Sequence, residues 1–197
     1  MRRYVAVAII VAVLVLAAAL FSWNGTPVEG HVALVVFEDY NQHEFETLRS
    51  TATDVTVVGA GNLTSGYDVR IEDVKPSDIL GYDAVIFIGG SGLYRRVESG
   101  RMDRDLEMAA GLAESASRSG RIIGAICAAP AIPAMAGILR GQNATIYPGL
   151  EGVLSENGAR YVKADVVVSG RIVTAATPES AGKLRDTLRA MIRKGYS

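Results

Sequence analysis

The sequence has a single cysteine, Cys127, and only two histidines, His31 and His43. One thiol excludes an internal disulfide and a cysteine-based metal cluster, and neither histidine has a partner at metal-ligand spacing. We therefore expect no metal and no other cofactor. Basic residues are not in excess either, since the formal net charge is −1. The absence of a basic patch argues against nucleic acid as a partner.

Charged residues are also absent from residues 4–23, an apolar run of about the length that spans a bilayer. Arg2 and Arg3 precede the run and should stay cytoplasmic, which places the rest of the chain outside. We expect residues 1–23 to form an uncleaved, single-pass membrane anchor with an extracytoplasmic domain. The alternative is a signal peptide that is cleaved after the alanines at 17–19, which would give a secreted protein.

Three of the five asparagines lie in N-x-S/T sequons, namely Asn24, Asn62 and Asn143. This enrichment agrees with export, because such sequons are acceptors for glycosylation in secreted proteins. The sequence does not decide whether these three asparagines are glycosylated.

Residues 31–197 follow a short linker at 24–30 and alternate between strand-like and helical segments. Apolar or alternating segments at 31–37, 54–59, 67–74, 82–90 and 121–126 predict strands, and late strands are predicted within 144–148, 159–170 and 171–176. Helical patterns are found at 39–50, 102–120, 128–139 and 177–194. This order predicts one α/β domain with a doubly wound, mostly parallel sheet that carries helices on both faces.

Cys127 lies in the stretch RIIGAICAAP, between a buried strand and a helix start. Sites in open α/β sheets lie beyond the carboxyl ends of the strands. A strand-to-helix turn that exposes a nucleophile needs small residues two positions before and after it, and here these are Ala125 and Ala129. We interpret Cys127 as an exposed thiol with a lowered pKa. The alternative is a buried structural cysteine.

Paired glycines, Gly89 and Gly90, end the neighbouring apolar strand in the sequence GGSG. Their backbone N–H groups are candidates to stabilise an oxyanion near Cys127. A phosphate-binding loop and a plain tight turn are the alternatives.

Four segments together resemble the ThiJ/PfpI family. They are VTVVGAG, YDAVIFIGGSG, the run from GRIIGAICAAP to NGARYV, and VVVSGRIVTAATPESAGKL. The resemblance covers about residues 31–194 and implies a class I glutamine amidotransferase-like, flavodoxin-like fold. It places the family's nucleophile on Cys127 and its glycine loop on Gly89 and Gly90.

The same resemblance leaves two parts of the site unassigned. The family's glutamate after the first strand aligns with Asn41, and a small shift would substitute Glu38 or Glu44. The histidine that follows the cysteine in the peptidase-like branch is replaced by Ala128, and the histidine of another branch is replaced by Tyr147.

The loss of both histidines bears on mechanism, because a hydrolase needs a general base and a proton donor near its nucleophile. Tyr147 can donate a hydrogen bond, but a phenol is a poor base near neutral pH. His43 would serve only if the first helix directed it at Cys127, and its spacing favours an exposed position on that helix.

Three functions stay open at this point. The first is a cysteine-dependent enzyme, hydrolase or lyase, that acts on small carbonyl or amide substrates, as glyoxalase and deglycase members of the family do. The second is a catalytically weak binding or redox-sensing module. The third is a PfpI-type peptidase or amidase, which Ala128 disfavours. The resemblance also implies a homodimer or a larger homo-oligomer.

Overall fold

Residues 26–195 are described by a computed structural model of the 197-residue chain. The strands are β1 Val28–Val36, β2 Ala52–Gly59, β3 Val69–Arg70, β4 Ala84–Phe87, β5 Ile122–Ile126, β6 Asn143–Ala144, β7 Arg160–Tyr161, β8 Val166–Ser169 and β9 Ile172–Ala175. The α-helices are α1 Gln42–Arg49, α2 Ser91–Glu98, α3 Arg104–Arg118, α4 Ala131–Met135, α5 Glu151–Glu156 and α6 Ala181–Arg193. Short 3-10 helices lie at Ile71–Asp73, Asp78–Gly81 and Pro178–Ser180.

The main sheet has the strand order β3-β2-β1-β4-β5-β9-β8. Every neighbouring pair is parallel except β8 and β9, which are antiparallel. Strands β6 and β7 form a separate parallel pair. This topology confirms the predicted mostly parallel sheet, and it brings the carboxyl ends of β1, β4, β5 and β9 to one edge.

Two apolar cores cover the two faces of this sheet. Along β1, Ala33 and Val35 pack into one core with helices α2 to α5, whereas Val32 and Leu34 pack into the other with α1 and α6. Successive side chains of a strand point to opposite faces, so an uninterrupted apolar strand feeds both cores. The predicted helices on both faces are confirmed.

Several segments differ from their predictions. The alternating segment 67–74 contains only the short strand β3 before a 3-10 turn. Instead of extending the strand, this segment contacts the loop after β2: the Arg70 side chain donates to the carbonyl groups of Gly61 and Leu63 at 2.9 and 3.0 Å. The strand predicted within 144–148 is reduced to the two residues of β6. Helix α5 was not predicted, and neither was helix α2. Its apolar residues are only Leu93, Tyr94 and Val97, and it begins directly after two glycines.

The amino-terminal predictions fall mostly outside the described residues. The expected anchor or signal segment at 1–23 lies there, as does Asn24. Strand β1 begins at Val28, inside the predicted linker at 24–30, because Val28 pairs with Ala52 of β2. Within residues 26–195 there is no helix with the length and apolar character needed to cross a membrane.

Candidate functional site

Cys127 occupies a sharp turn directly after β5. Its φ is +62°, a left-handed conformation that costs a residue with a side chain about 1–2 kcal/mol. Two main-chain bonds hold the turn: the Cys127 N–H donates to the carbonyl of Ala175 at 3.0 Å, and its carbonyl accepts from the N–H of Tyr147 at 2.8 Å. Helix α4 begins only at Ala131, so the thiol does not lie in the first turn of a helix.

The thiol borders an open cavity of about 400 Å³ at the carboxyl edge of the sheet. Only 7% of Cys127 is exposed, so the residue is largely buried and reaches solvent through this cavity. The cavity is lined by Asn41, Gly90, Ser91, Tyr94, Arg95, Cys127, Tyr147 and Pro178. Its volume suits a small-molecule ligand.

Glu44 is the carboxyl group beside the thiol. Its side chain is fully buried, and Oε2 accepts a hydrogen bond of 2.8 Å from the N–H of Gly89. Glu44 lies on the buried face of helix α1. Asn41 caps the start of this helix and accepts from the N–H of Glu44 at 3.1 Å. Oε1 is buried without a hydrogen-bond partner of good geometry among residues 26–195. An unpaired buried carboxylate oxygen favours the protonated acid.

The two groups shift each other's protonation. Burial raises the pKa of Glu44 from 4.5 to about 7, and the bonds from Gly89 and Cys127 only partly offset that effect. Burial, together with the charge of Glu44, raises the pKa of Cys127 from 9.0 to about 12. Backbone N–H groups of Ala128 and Gly90 act in the opposite direction and favour the thiolate.

The prediction of an exposed thiol with a lowered pKa is therefore wrong: Cys127 is buried, and burial first and the charge of Glu44 second outweigh the backbone donors and raise its pKa. The pair as a unit loses its first proton near pH 7, at the pKa of Glu44. That proton leaves mainly from Glu44, whose pKa lies well below that of Cys127, and the two groups titrate as a coupled pair. A protonated Glu44 beside a Cys127 thiolate is one of the two forms with a single proton.

Gly89 and Gly90 bring the backbone of β4 against this pair. A Cβ at Gly89 would lie 2.5 Å from the Cβ of Cys127 and 2.9 Å from Oε2 of Glu44. Gly90 has a φ of +138° and forms an isolated bridge with Tyr40. Both positions therefore require glycine, one for space and the other for conformation.

Glu38 and Asn41 have other neighbours. The Glu38 carboxylate pairs with Arg96 at 2.9 Å and accepts from the N–H of Asn62 at 3.0 Å. Arg96 also pairs with Asp103, so this network joins the end of β1 to α2 and α3. Asn41 lines the cavity and caps α1. Sequence spacing leaves Glu38, Asn41 and Glu44 as alternatives, and these tertiary contacts distinguish them, because only Glu44 adjoins the thiol.

Ala128 and Tyr147, the two positions at which the family resemblance predicts histidine, both lie at the site. Ala128 is fully buried and offers its backbone N–H to the thiol. Tyr147 is 36% exposed, and its ring meets that of Tyr94 edge to face with centroids 5.9 Å apart. Neither histidine lines the cavity: His43 is exposed on α1, and His31 contacts Thr56 on β2.

No group of three or more histidine, cysteine or acidic residues within 26–195 is arranged to hold a metal ion. The chemistry available at this edge is that of a thiol, a carboxyl group of raised pKa, and backbone donors.

The chain is similar to proteins of one known family. A family model described as the DJ-1/PfpI family matches residues 13–190. A deglycase from Pyrococcus abyssi is 32% identical over 122 residues, which are 62% of this chain and 68% of that protein. A glutathione-independent glyoxalase from Caenorhabditis elegans is 30% identical over 114 residues, which are 58% of this chain and 55% of that protein.

The fold also matches a solved structure. A ThiJ/PfpI domain protein from Brachyspira murdochii aligns with a TM-score of 0.71 at 23% identity, covering 86% of this chain and 99% of that one. This likeness supports the fold and does not extend to activity.

Proposed function

Because the chain belongs to the DJ-1/PfpI family, we propose that it is an enzyme in which Cys127 attacks small carbonyl compounds, in the manner of a glyoxalase or deglycase. The observation that carries the proposal is the buried Glu44 carboxyl, held by Gly89 against the thiol. The names of the relatives from Pyrococcus abyssi and Caenorhabditis elegans support the same class of substrate.

The first step is addition of the Cys127 sulfur to the aldehyde carbon of a 2-oxoaldehyde. The carbonyl π electrons move to oxygen, which takes the proton from Glu44 and gives a hemithioacetal. Glu44 is suited to this transfer, because an acid with a pKa of about 7 holds and releases a proton near neutral pH. The N–H groups of Gly90 and Ala128 near the sulfur stabilise the thiolate before attack.

The following steps use the same carboxylate. Ionised Glu44 removes the hydrogen from the sulfur-bearing carbon and returns a proton to the adjacent carbon, which converts the hemithioacetal to the thioester of a 2-hydroxy acid. Water then attacks the thioester, the carbon–sulfur bond breaks, and the hydroxy acid and the free thiol are released. The aldehyde carbon is oxidised and its neighbour is reduced, so no external oxidant is needed.

The absence of histidine from the cavity lining favours this reaction over peptide hydrolysis. Expulsion of an amine requires a donor that protonates the leaving nitrogen, in addition to a base for the nucleophile. Addition to an aldehyde releases no leaving group, so the Glu44 carboxyl alone can donate the proton to the carbonyl oxygen and later remove the proton from the sulfur-bearing carbon.

The test is turnover of methylglyoxal by the full chain purified in mild detergent, followed by loss of substrate and appearance of lactate. We expect Cys127→Ser to abolish lactate formation. Glu44→Gln should reduce it by at least about 100-fold, the usual contribution of a positioned acid–base group. Glu46, exposed on the same helix, provides the matched control, and Glu46→Gln should be unchanged. Lactate formation by Cys127→Ser, or none by the wild type, would refute the proposal.

A further inference from the structure

One charged side chain, that of Arg95, lines the cavity beside Cys127. The other lining residues described above are neutral apart from the thiol. Arg95 follows Ser91 by four positions on α2, so both lie on the face of the helix that borders the cavity. A reactant entering from solvent therefore meets one positive charge and no negative one among these lining residues.

The present partner of Arg95 is easily replaced. Arg95 pairs with Asp39 at 2.6 Å, and both side chains are 60% exposed. An ion pair so open to water contributes little to stability. Asp39 would remain hydrated after losing Arg95, and its backbone position is fixed independently, because its carbonyl accepts from the N–H of Ser91 at 3.1 Å.

We propose that the site selects carbonyl compounds that carry a carboxylate, and that Arg95 binds this carboxylate in exchange for Asp39. The planar guanidinium fork matches a carboxylate, whereas phosphate sites usually gather several donors and cations. The proposal takes from the proposed function only the assignment of Cys127 as the reacting group.

Two alkylating agents that differ in charge test whether Arg95 attracts a carboxylate, and the test does not depend on catalytic activity. Iodoacetate and iodoacetamide both transfer a substituted methyl group to the thiolate with loss of iodide. Because Cys127 is the single cysteine, the intact mass of the full chain reports its labelling alone. The ratio of the two rate constants at one pH cancels any difference in thiolate fraction between variants.

We expect Arg95→Met to lower the iodoacetate-to-iodoacetamide ratio about fivefold, the effect of one unit charge at close range in a hydrated site. Arg95→Lys, which keeps the charge, should retain most of the ratio, and Asp39→Asn should raise it. Arg118, exposed and paired with Glu114 on α3, is the matched control, and Arg118→Met should leave the ratio unchanged.

Protection of Cys127 by aldehydes tests whether the same charge preference applies to carbonyl compounds. Glyoxylate, an anionic aldehyde, should protect Cys127 from iodoacetamide at lower concentration than neutral glycolaldehyde does, and Arg95→Met should remove the difference. A ratio unaffected by Arg95→Met, or equal protection by the two aldehydes in the wild type, would overturn the proposal. If methylglyoxal is turned over but Arg95→Met leaves the iodoacetate-to-iodoacetamide ratio unchanged, only this inference is refuted. If Arg95→Met lowers the ratio but methylglyoxal is not turned over, only the proposed function is refuted.

Discussion

Cys127 and Glu44 share their protons at a buried edge of the sheet, and this sharing governs when the thiol can react. Glu44 is fully buried, and one of its oxygens accepts from Gly89 while the other has no well-aligned partner within residues 26–195. Burial alone disfavours both the carboxylate and the thiolate. The singly protonated pair is the reactive state, because the minor one of its two forms contains a thiolate beside a neutral acid.

Thiol reactivity should follow the titration of the pair. We predict that the rate of Cys127 alkylation by iodoacetamide rises with an inflection near pH 7, where the pair loses its first proton. In Glu44→Gln the thiol titrates alone, so the inflection should move upward, to between about 7 and about 12. Intact-mass labelling from pH 5 to 10 locates the wild-type inflection and shows the shifted one of Glu44→Gln as a rate that still rises above pH 7. An identical inflection in the two proteins would contradict the shared titration.

Stability should depend on pH through the same carboxyl group. The pKa of Glu44 is raised from 4.5 to about 7 by folding, so its contribution is fully present below pH 4.5 and is lost as pH rises through 7. The loss corresponds to about 3 kcal/mol of unfolding free energy, at about 1.4 kcal/mol per pKa unit. Urea unfolding at pH 4.5 and pH 8 should show this loss in the wild type and in Glu46→Gln, but not in Glu44→Gln. If Glu44→Gln lost as much unfolding free energy as the wild type, the pH dependence would come from groups other than Glu44.

Among the elements, the junction between β4 and α2 sets the distance between the acid and the thiol. The carbonyl of Gly89 accepts from the N–H of Asn41 at 3.0 Å, and its own N–H donates to Glu44, so this residue joins the end of β4 to the start of α1. The missing side chain leaves just enough room for Cys127 in the turn after the adjacent strand β5. The site thus depends on how three elements meet.

Alanine substitution of a glycine should have opposite effects at this junction and in an exposed helix. Gly89→Ala inserts a Cβ that would lie 2.5 Å from the Cβ of Cys127, so we expect a loss of about 1–3 kcal/mol in unfolding free energy and a large loss of turnover. Gly111 is exposed within α3 with open space around it. Gly111→Ala should stabilise the chain by up to about 1 kcal/mol without changing turnover. Denaturant unfolding and methylglyoxal kinetics check both, and a harmless Gly89→Ala would show that the junction is looser than described.

For the whole molecule, the attachment to a membrane is a prediction from residues 1–23. The apolar run at 4–23 follows Arg2 and Arg3, which should keep the amino terminus cytoplasmic. Protease added outside intact cells is expected to digest the domain completely and to spare a cytoplasmic marker protein. Protection of the domain would contradict the predicted topology, and release of the domain into the medium would favour the cleaved signal peptide.

Self-association is the second prediction at this scale. The family resemblance implies a homodimer or larger assembly. We expect light scattering of the full chain in mild detergent, with the detergent mass subtracted, to give at least twice the monomer mass at micromolar concentration. A strictly monomeric mass at that concentration and above would count against this prediction.

Much of the fold follows from local patterns. The apolar run of β1 feeds both cores, and the paired glycines and Cys127 each follow a buried strand, so their placement at one edge follows from parallel strand order. Strand periodicity and small residues around the turn act over only a few positions, which is why the sequence by itself determined the α/β class, the family and the position of the cysteine.

The identity of the acid beside the thiol was decided only by the tertiary structure. Asn41, Glu38 and Glu44 are close in sequence, but Glu38 pairs with Arg96 and Asn41 caps α1, which leaves Glu44 directed at Cys127. The loop before α1 contains Asp39 at a positive φ of 52°, and such a turn changes the direction of every side chain after it. The raised pKa values likewise depend on burial by both sheet and helices, because desolvation is set by all the atoms that surround a group rather than by its neighbours in sequence.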